Sequence, residues 1–104
     1  TLIMSSEKLS PTAVTEQLTK LGDWRLSDGK LHLQLVFADF IAAFDFMSKV
    51  AVLAEAAGHH PEWSNVYNRV EIDLTTHDAG GITMKDFDLA EQINRVLAEN
   101  TPDR

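Results

Sequence analysis

The chain has 104 residues, no cysteine, and 16 acidic against 9 basic residues for a formal charge of −7. That length suits a single domain over residues 1–104 with one modest core, and the missing thiols exclude disulfides and thiolate metal sites. The acidity opposes binding to a phosphate backbone, so no direct nucleic-acid contact is expected; with no apolar run fit for a signal peptide or membrane span, a cytoplasmic protein with no membrane contact is expected.

Ser10 followed by Pro11 reads as an N-cap with proline at the first helical position, and it predicts a helix over 11–21 with Val14, Leu18 and Leu21 on one face. Strand-like runs at 24–26 and 30–37 flank Ser27-Asp28-Gly29, and Asp-Gly between such runs predicts a hairpin. In the second run Leu31, Leu33, Leu35 and Phe37 share a face while His32 and Gln34 take the other, which makes His32 a solvent-facing strand residue. Asp39 is the expected N-cap of a long helix reaching residue 57. That helix carries two apolar stripes, Phe40, Phe44, Met47, Ala51 and Ala54, and, offset, Phe46, Val50, Leu53 and Ala57. A helix wetted on one side needs only one, so another helix or a second copy of the chain is expected to cover the other.

Gly58 can take the positive φ that ends a helix, and His59 and His60 follow it. His60 precedes Pro61 and is biased toward extended backbone, so the two adjacent imidazoles are expected to point apart and find different partners. Residues 64–67 and 69–76 predict a second hairpin turning near Asn68-Arg69, with Val70, Ile72 and Leu74 facing the core and His77 at the strand end in the polar set. After the loop Asp78-Ala79-Gly80-Gly81, Thr83-Met84-Lys85-Asp86 matches a capping box, with Ile82 and Phe87 at the staple positions. The last helix, 84–99, presents Phe87, Ala90, Ile93 and Leu97, and Asn100-Thr101-Pro102 ends it. The order α-β-β-α-β-β-α predicts an α+β fold, a four-stranded antiparallel sheet with three helices on one face.

Only histidine exchanges its proton near neutral pH without help, so His59, His60 and His77 form the candidate acid–base set, with Glu55 and Asp78 as candidate orienters. The plainer reading is that His59 and His60 only decorate a helix C-terminus, where positive charge is favourable. A zinc site is disfavoured, because adjacent histidines on extended backbone do not readily share one ion and no HExxH helix is present. No nucleophile elbow or glycine-rich phosphate loop appears. Trp24 is expected in the core; Trp63 suits either the wall of a flat ligand or a sheet edge.

The run Glu55-Ala56-Ala57-Gly58-His59-His60-Pro61-Glu62-Trp63, then Asn65-Val66-Tyr67-Asn68, Val70, Leu74, Thr76-His77, Gly81, Thr83 and Asp86, resembles the pterin-4a-carbinolamine dehydratases. Asp39-Phe40, Ala43-Phe44 and Trp24 extend the resemblance over nearly the whole chain. The resemblance implies a lyase that converts 4a-hydroxytetrahydrobiopterin to quinonoid dihydropterin, recycling the pterin of aromatic amino acid hydroxylases, with no cofactor and no metal. It places the catalytic histidines at His59, His60 and His77 and the substrate contacts at Gly58, His59, His60, Thr75, Thr76, His77 and Asp78, with Trp63 a candidate wall. Gly58 departs from the acidic or polar residue expected there. The resemblance also implies a pterin substrate, a homodimer or homotetramer, and, as an alternative function, a protein-interaction module, since animal relatives serve as dimerisation cofactors of a homeodomain transcription factor.

Overall fold

In the computed structural model, which describes residues 7–99, the Ser10 hydroxyl accepts from the Ala13 N–H at 3.1 Å and opens α1 (Pro11–Leu18). The helix is shorter than the expected 11–21. Its end tightens into i to i+3 bonds, Lys20 N–H to the Gln17 carbonyl and Leu21 N–H to that of Leu18, which still bury Leu21 beside Val14. Trp24 precedes β1 (Arg25–Ser27) instead of opening it; it is buried, and its indole N–H donates to Asn94 Oδ1 at 2.9 Å. Asp28 and Gly29, with φ of 53° and 74°, make the turn into β2 (Lys30–Val36), the two positive values that a tight hairpin of this hand requires. Phe37 lies past the strand end, where its N–H bonds the Asn68 carbonyl and its ring packs 5.1 Å from that of Phe46.

Asp39 caps α2 (Phe40–Ala57) as expected, its carboxylate accepting from the Ala42 N–H at 2.8 Å. The stripes divide differently from the expectation. Ala43, Phe46, Val50 and Ala54 are buried, at the spacing of one helical face, with Met47 and Leu53 flanking. Phe40, Ile41, Phe44 and Val52 are exposed, and the rings of Phe40 and Phe44 stack on each other at 5.8 Å. Ala54 therefore leaves the first predicted stripe for the core, while Ala57 is exposed.

The second hairpin joins β3 (Glu62–Val66) to β4 (Arg69–Leu74), so β3 starts earlier than the expected 64–67 and β4 ends before the expected residue 76. The turn falls at Tyr67-Asn68, one residue before the expected position, and Tyr67 takes φ of 52° there. The sheet order is β1-β2-β4-β3 and every neighbouring pair is antiparallel. Thus α2 carries the chain from β2 to the outer edge, leaving a slot that β4 fills. Leu31, Leu33, Val70, Ile72 and Leu74 bury themselves under the helices, joined by Phe87, Leu89, Ala90 and Ile93 of α3 (Met84–Glu99). The α+β fold with the order α-β-β-α-β-β-α is as expected; the 100–102 tail lies outside the described residues. On the opposite sheet face, Arg25, His32, Asp73 and Glu62 form one row across the four strands. No helix among the described residues is long and apolar enough to cross a membrane.

Candidate active site

Gly58, with φ of 65°, ends α2 in the left-handed conformation, and the His59 N–H returns to the Ala54 carbonyl. This reversal turns His59 inward and leaves His60 outward, the divergence that their adjacency predicts. The His59 side chain is 11% exposed and its Nε2 lies 2.5 Å from Oδ1 of Asp86, which is fully buried. Asp86 is the third residue of α3, and its Oδ2 accepts from the Thr83 N–H and the Thr76 hydroxyl, both at 2.9 Å. Burying a carboxylate is costly unless donors replace its water, and here three do. A carboxylate at Asp86 accepts only, so this contact is matched by a hydrogen on His59 Nε2.

His77 does not end a strand. Thr76 pairs with Gly81 in an isolated bridge and closes a single 3-10 turn, His77–Ala79, that holds His77 at the surface. His77 Nε2 meets Glu62 Oε2 at 2.6 Å, and the other oxygen of Glu62 accepts from Lys30 Nζ at 2.6 Å. The hydrogen bond from Lys30, then that from His77, holds the Glu62 carboxyl below its ordinary value, and the Glu62 hydrogen bond raises the Lys30 ammonium above its own. Lys30, Thr75 and His77 line an open cleft of about 330 Å³ between the Asp28-Gly29 turn and Gly80-Gly81.

His60 is exposed, with Nε2 2.9 Å from Oε1 of Glu55, one of the two residues expected as orienters. Asp78, the other expected orienter, is exposed on the 3-10 turn and bonds none of the histidines. Thr76 is buried, and its hydroxyl serves Asp86. Trp63 is half-buried on the helix-facing side of β3, against the core. A Cβ at Gly58 would meet nothing within 4 Å, so the backbone there is open to a ligand.

Two short segments thus lie side by side at the sheet end away from Tyr67, residues 59–62 and residues 76–77. The anchor of Asp86 ties His59 to Thr76, and Glu62 ties β3 to His77. His32 stands apart, using Nδ1 on Asp73 at 2.8 Å in the middle of the sheet. Among the described residues no three His, Asp or Glu side chains are grouped as metal ligands. Sequence reasoning read Asp86 only as a cap and did not single out Glu62 or Lys30 as site residues. The capping box was the available signal for Asp86; Lys30 carried none.

The family described as Pterin 4 alpha carbinolamine dehydratase matches residues 7–96. A protein of Solibacter usitatus, provisionally named a pterin-4-alpha-carbinolamine dehydratase, is 55% identical over 91 residues, covering 88% of this chain and 96% of its own length. A similarly named protein of Rhizobium johnstonii is 47% identical over 97 residues, covering 91% and 96%. Among solved structures, a transcriptional coactivator/pterin dehydratase from Brucella melitensis superposes with a TM-score of 0.83 at 38% identity, over 86% of this chain and 98% of that one. A pterin dehydratase-like RuBisCO assembly factor of the alpha-carboxysome matches with a TM-score of 0.60 at 21% identity, over 71% and 88%, a likeness of fold.

Proposed function

Because the chain belongs to the pterin 4 alpha carbinolamine dehydratase family, we propose that it dehydrates 4a-hydroxytetrahydropterins by histidine acid–base catalysis. The reaction adds a proton to the 4a-hydroxyl, breaks the C4a–O bond with its electron pair leaving on water, and removes the proton from N5 as the N5=C4a bond forms. One donor and one acceptor on the pterin edge meet that requirement. His60 and His77 are the candidates for the two sides of that edge, with His59 assisting in binding or proton transfer. Gly58 contributes backbone, Thr75 and Asp78 line the approach, and Trp63 closes the apolar side. Such a substrate arises from a tetrahydropterin-dependent aromatic amino acid hydroxylase.

The observation that carries the reading is the anchoring of His59 on fully buried Asp86 next to the Glu62-bound His77. A histidine that merely decorates a helix end, where water can solvate it, gains little from a buried carboxylate held by two further donors. The test is turnover of chemically generated 4a-carbinolamine, followed by ultraviolet absorbance with and without protein. A rate equal to the spontaneous one would overturn the reading.

A second role has one observation behind it. The exposed Phe40, Ile41, Phe44 and Val52 leave α2 with an apolar outer face, which suits a homodimer or homotetramer, or a protein partner. Absence of turnover by a folded chain, together with binding to a protein partner, would move the assignment to an interaction module.

A further inference from the structure

The site holds three histidines, and each spends the same ring nitrogen on a carboxylate: Nε2 of His59 on Asp86, of His60 on Glu55, and of His77 on Glu62. His32, outside the site, spends Nδ1 instead. An ionised carboxylate accepts only, so in the neutral ring each of these contacts places the hydrogen on Nε2 and leaves Nδ1 as the nitrogen with a lone pair. The carboxylates differ in what holds them. Asp86 is packed inside and bonded by its own helix cap, and Glu55 is a helix residue in open solvent. Glu62 is fastened from its far side by Lys30.

The strand topology explains that fastening. β4 stands between β2 and β3, so Lys30 and Glu62 are separated by two strand spacings, about 9 to 10 Å of backbone. The last β2–β4 register pair is Leu31 with Leu74, and Lys30 lies one residue beyond it. The Lys30 side chain therefore crosses the end of β4 to reach β3, and its ammonium takes one carboxylate oxygen while His77 takes the other. A glutamate on an edge strand has several rotamers in water; with both oxygens engaged it has one.

We propose that Glu62, clamped by Lys30, is the positioning carboxylate of His77: it fixes the Nε2–H tautomer of that ring and presents Nδ1 to the reacting edge of the substrate. Glu62 and Lys30 act through His77 and do not touch the reacting atoms. His77 lines, with Lys30 and Thr75, a cleft of about 330 Å³ that is large enough for a bicyclic ring. The inference rests on the dehydratase reading for its catalytic consequence, and on geometry alone for the tautomer.

The test uses the full chain with Glu62→Ala, Glu62→Gln and Lys30→Met, each checked for folding by circular dichroism. Ring nitrogen shifts of His77, from ¹⁵N-labelled protein at a pH where the ring is neutral, report the tautomer. The wild type should show Nε2–H, Glu62→Ala a mixture of both forms, and Lys30→Met a smaller change in the same direction. In the dehydration assay Glu62→Ala should lower kcat about 10- to 100-fold with KM changed far less, the scale on which outer carboxylates orient functional histidines. Glu62→Gln, which keeps an acceptor without the charge, should recover part of the loss. Unchanged His77 shifts in Glu62→Ala would overturn the proposal even if the wild type turns over. A changed tautomer in Glu62→Ala, beside a wild type that shows Nε2–H but no turnover, would sustain the positioning and sink the dehydratase reading instead. If Glu62→Ala raises KM and leaves kcat intact, Glu62 is a substrate contact and the proposal fails.

Discussion

Replacing Asp86 by asparagine isolates what the buried carboxylate does for His59. The carboxylate receives three donors, His59 Nε2, the Thr83 N–H and the Thr76 hydroxyl, and no water reaches it. Asparagine has one carbonyl oxygen and one amide. If the oxygen keeps Thr83 and Thr76, so preserving the helix cap, the amide faces His59 and two donors collide unless the ring moves its hydrogen to Nδ1. A lost charge-assisted bond plus an unmatched buried donor costs about 3 kcal/mol, against roughly 5 to 15 kcal/mol for a whole domain. At about 4 to 8 °C per kcal/mol for a domain of this size, Tm should fall by roughly 12 to 24 °C, leaving the protein folded at 25 °C. The wrong tautomer in a catalytic triad can cost about 10⁴-fold. Here other histidines remain and the substrate also dehydrates unaided, so a loss of about 10²-fold in kcat/KM above background is expected. Calorimetry and the carbinolamine assay at 25 °C measure both. A variant with wild-type Tm and with kcat/KM within twofold of wild type would refute the claim that Asp86 holds His59 in one working state.

His60→Ala and His77→Ala should each lower kcat/KM, by up to about 10²- to 10⁴-fold before the spontaneous rate sets a floor, and the double variant should approach that floor. His32→Ala, with its partner Asp73 in mid-sheet, is the control and should match the wild type. Phe44→Asp should convert an oligomer to single chains in light scattering without loss of fold, because Phe44 is 54% exposed; a wild type that already scatters as one chain would remove the argument for a covered α2 face. For pH, Glu62 has a folded value below its ordinary 4.5, so its contribution to stability is present above 4.5 and disappears as pH falls through the lower folded value. Lys30 has a folded value above 10.5, so its contribution is present below 10.5 and is lost as pH rises through the higher value. The difference in urea midpoint between wild type and Lys30→Met should therefore hold near neutrality and narrow below pH 4.5; a constant difference down to pH 3 would contradict the clamp.

The fold was legible because its instructions are local. Asp28-Gly29, Asp39, Gly58 and the Thr83 to Asp86 box each act within a few residues, and each folds as read. The errors arise where distant contacts decide. Trp24 is in the core as expected, yet it lies before β1 instead of opening it, and its partner is Asn94, 70 positions away. Which stripe of α2 faces outward was left open by the sequence, because Phe40 and Phe44 are as apolar as Phe46; packing against the sheet decides which is covered.

The candidate site divides along the same line. Its histidines were visible from residue type and spacing, and so was Glu55, five positions from His60. The Asp86 to His59 contact spans 27 positions and the Lys30 to Glu62 contact 32, and neither can be seen before the sheet order is known. That order puts β4 between β2 and β3, which makes Lys30 reach over a strand end and places Glu62 beside His77. The two histidine–carboxylate pairs then differ in their access to water. His59 is 11% exposed on a carboxylate that no solvent reaches, while His77 is 75% exposed on one that is 39% exposed. A proton taken up by His77 can be released to bulk water at each turnover, whereas His59 exchanges only through the substrate or through local opening of the loop. This asymmetry supports giving His77 the proton that must be shed and His59 the task of holding the ring in place.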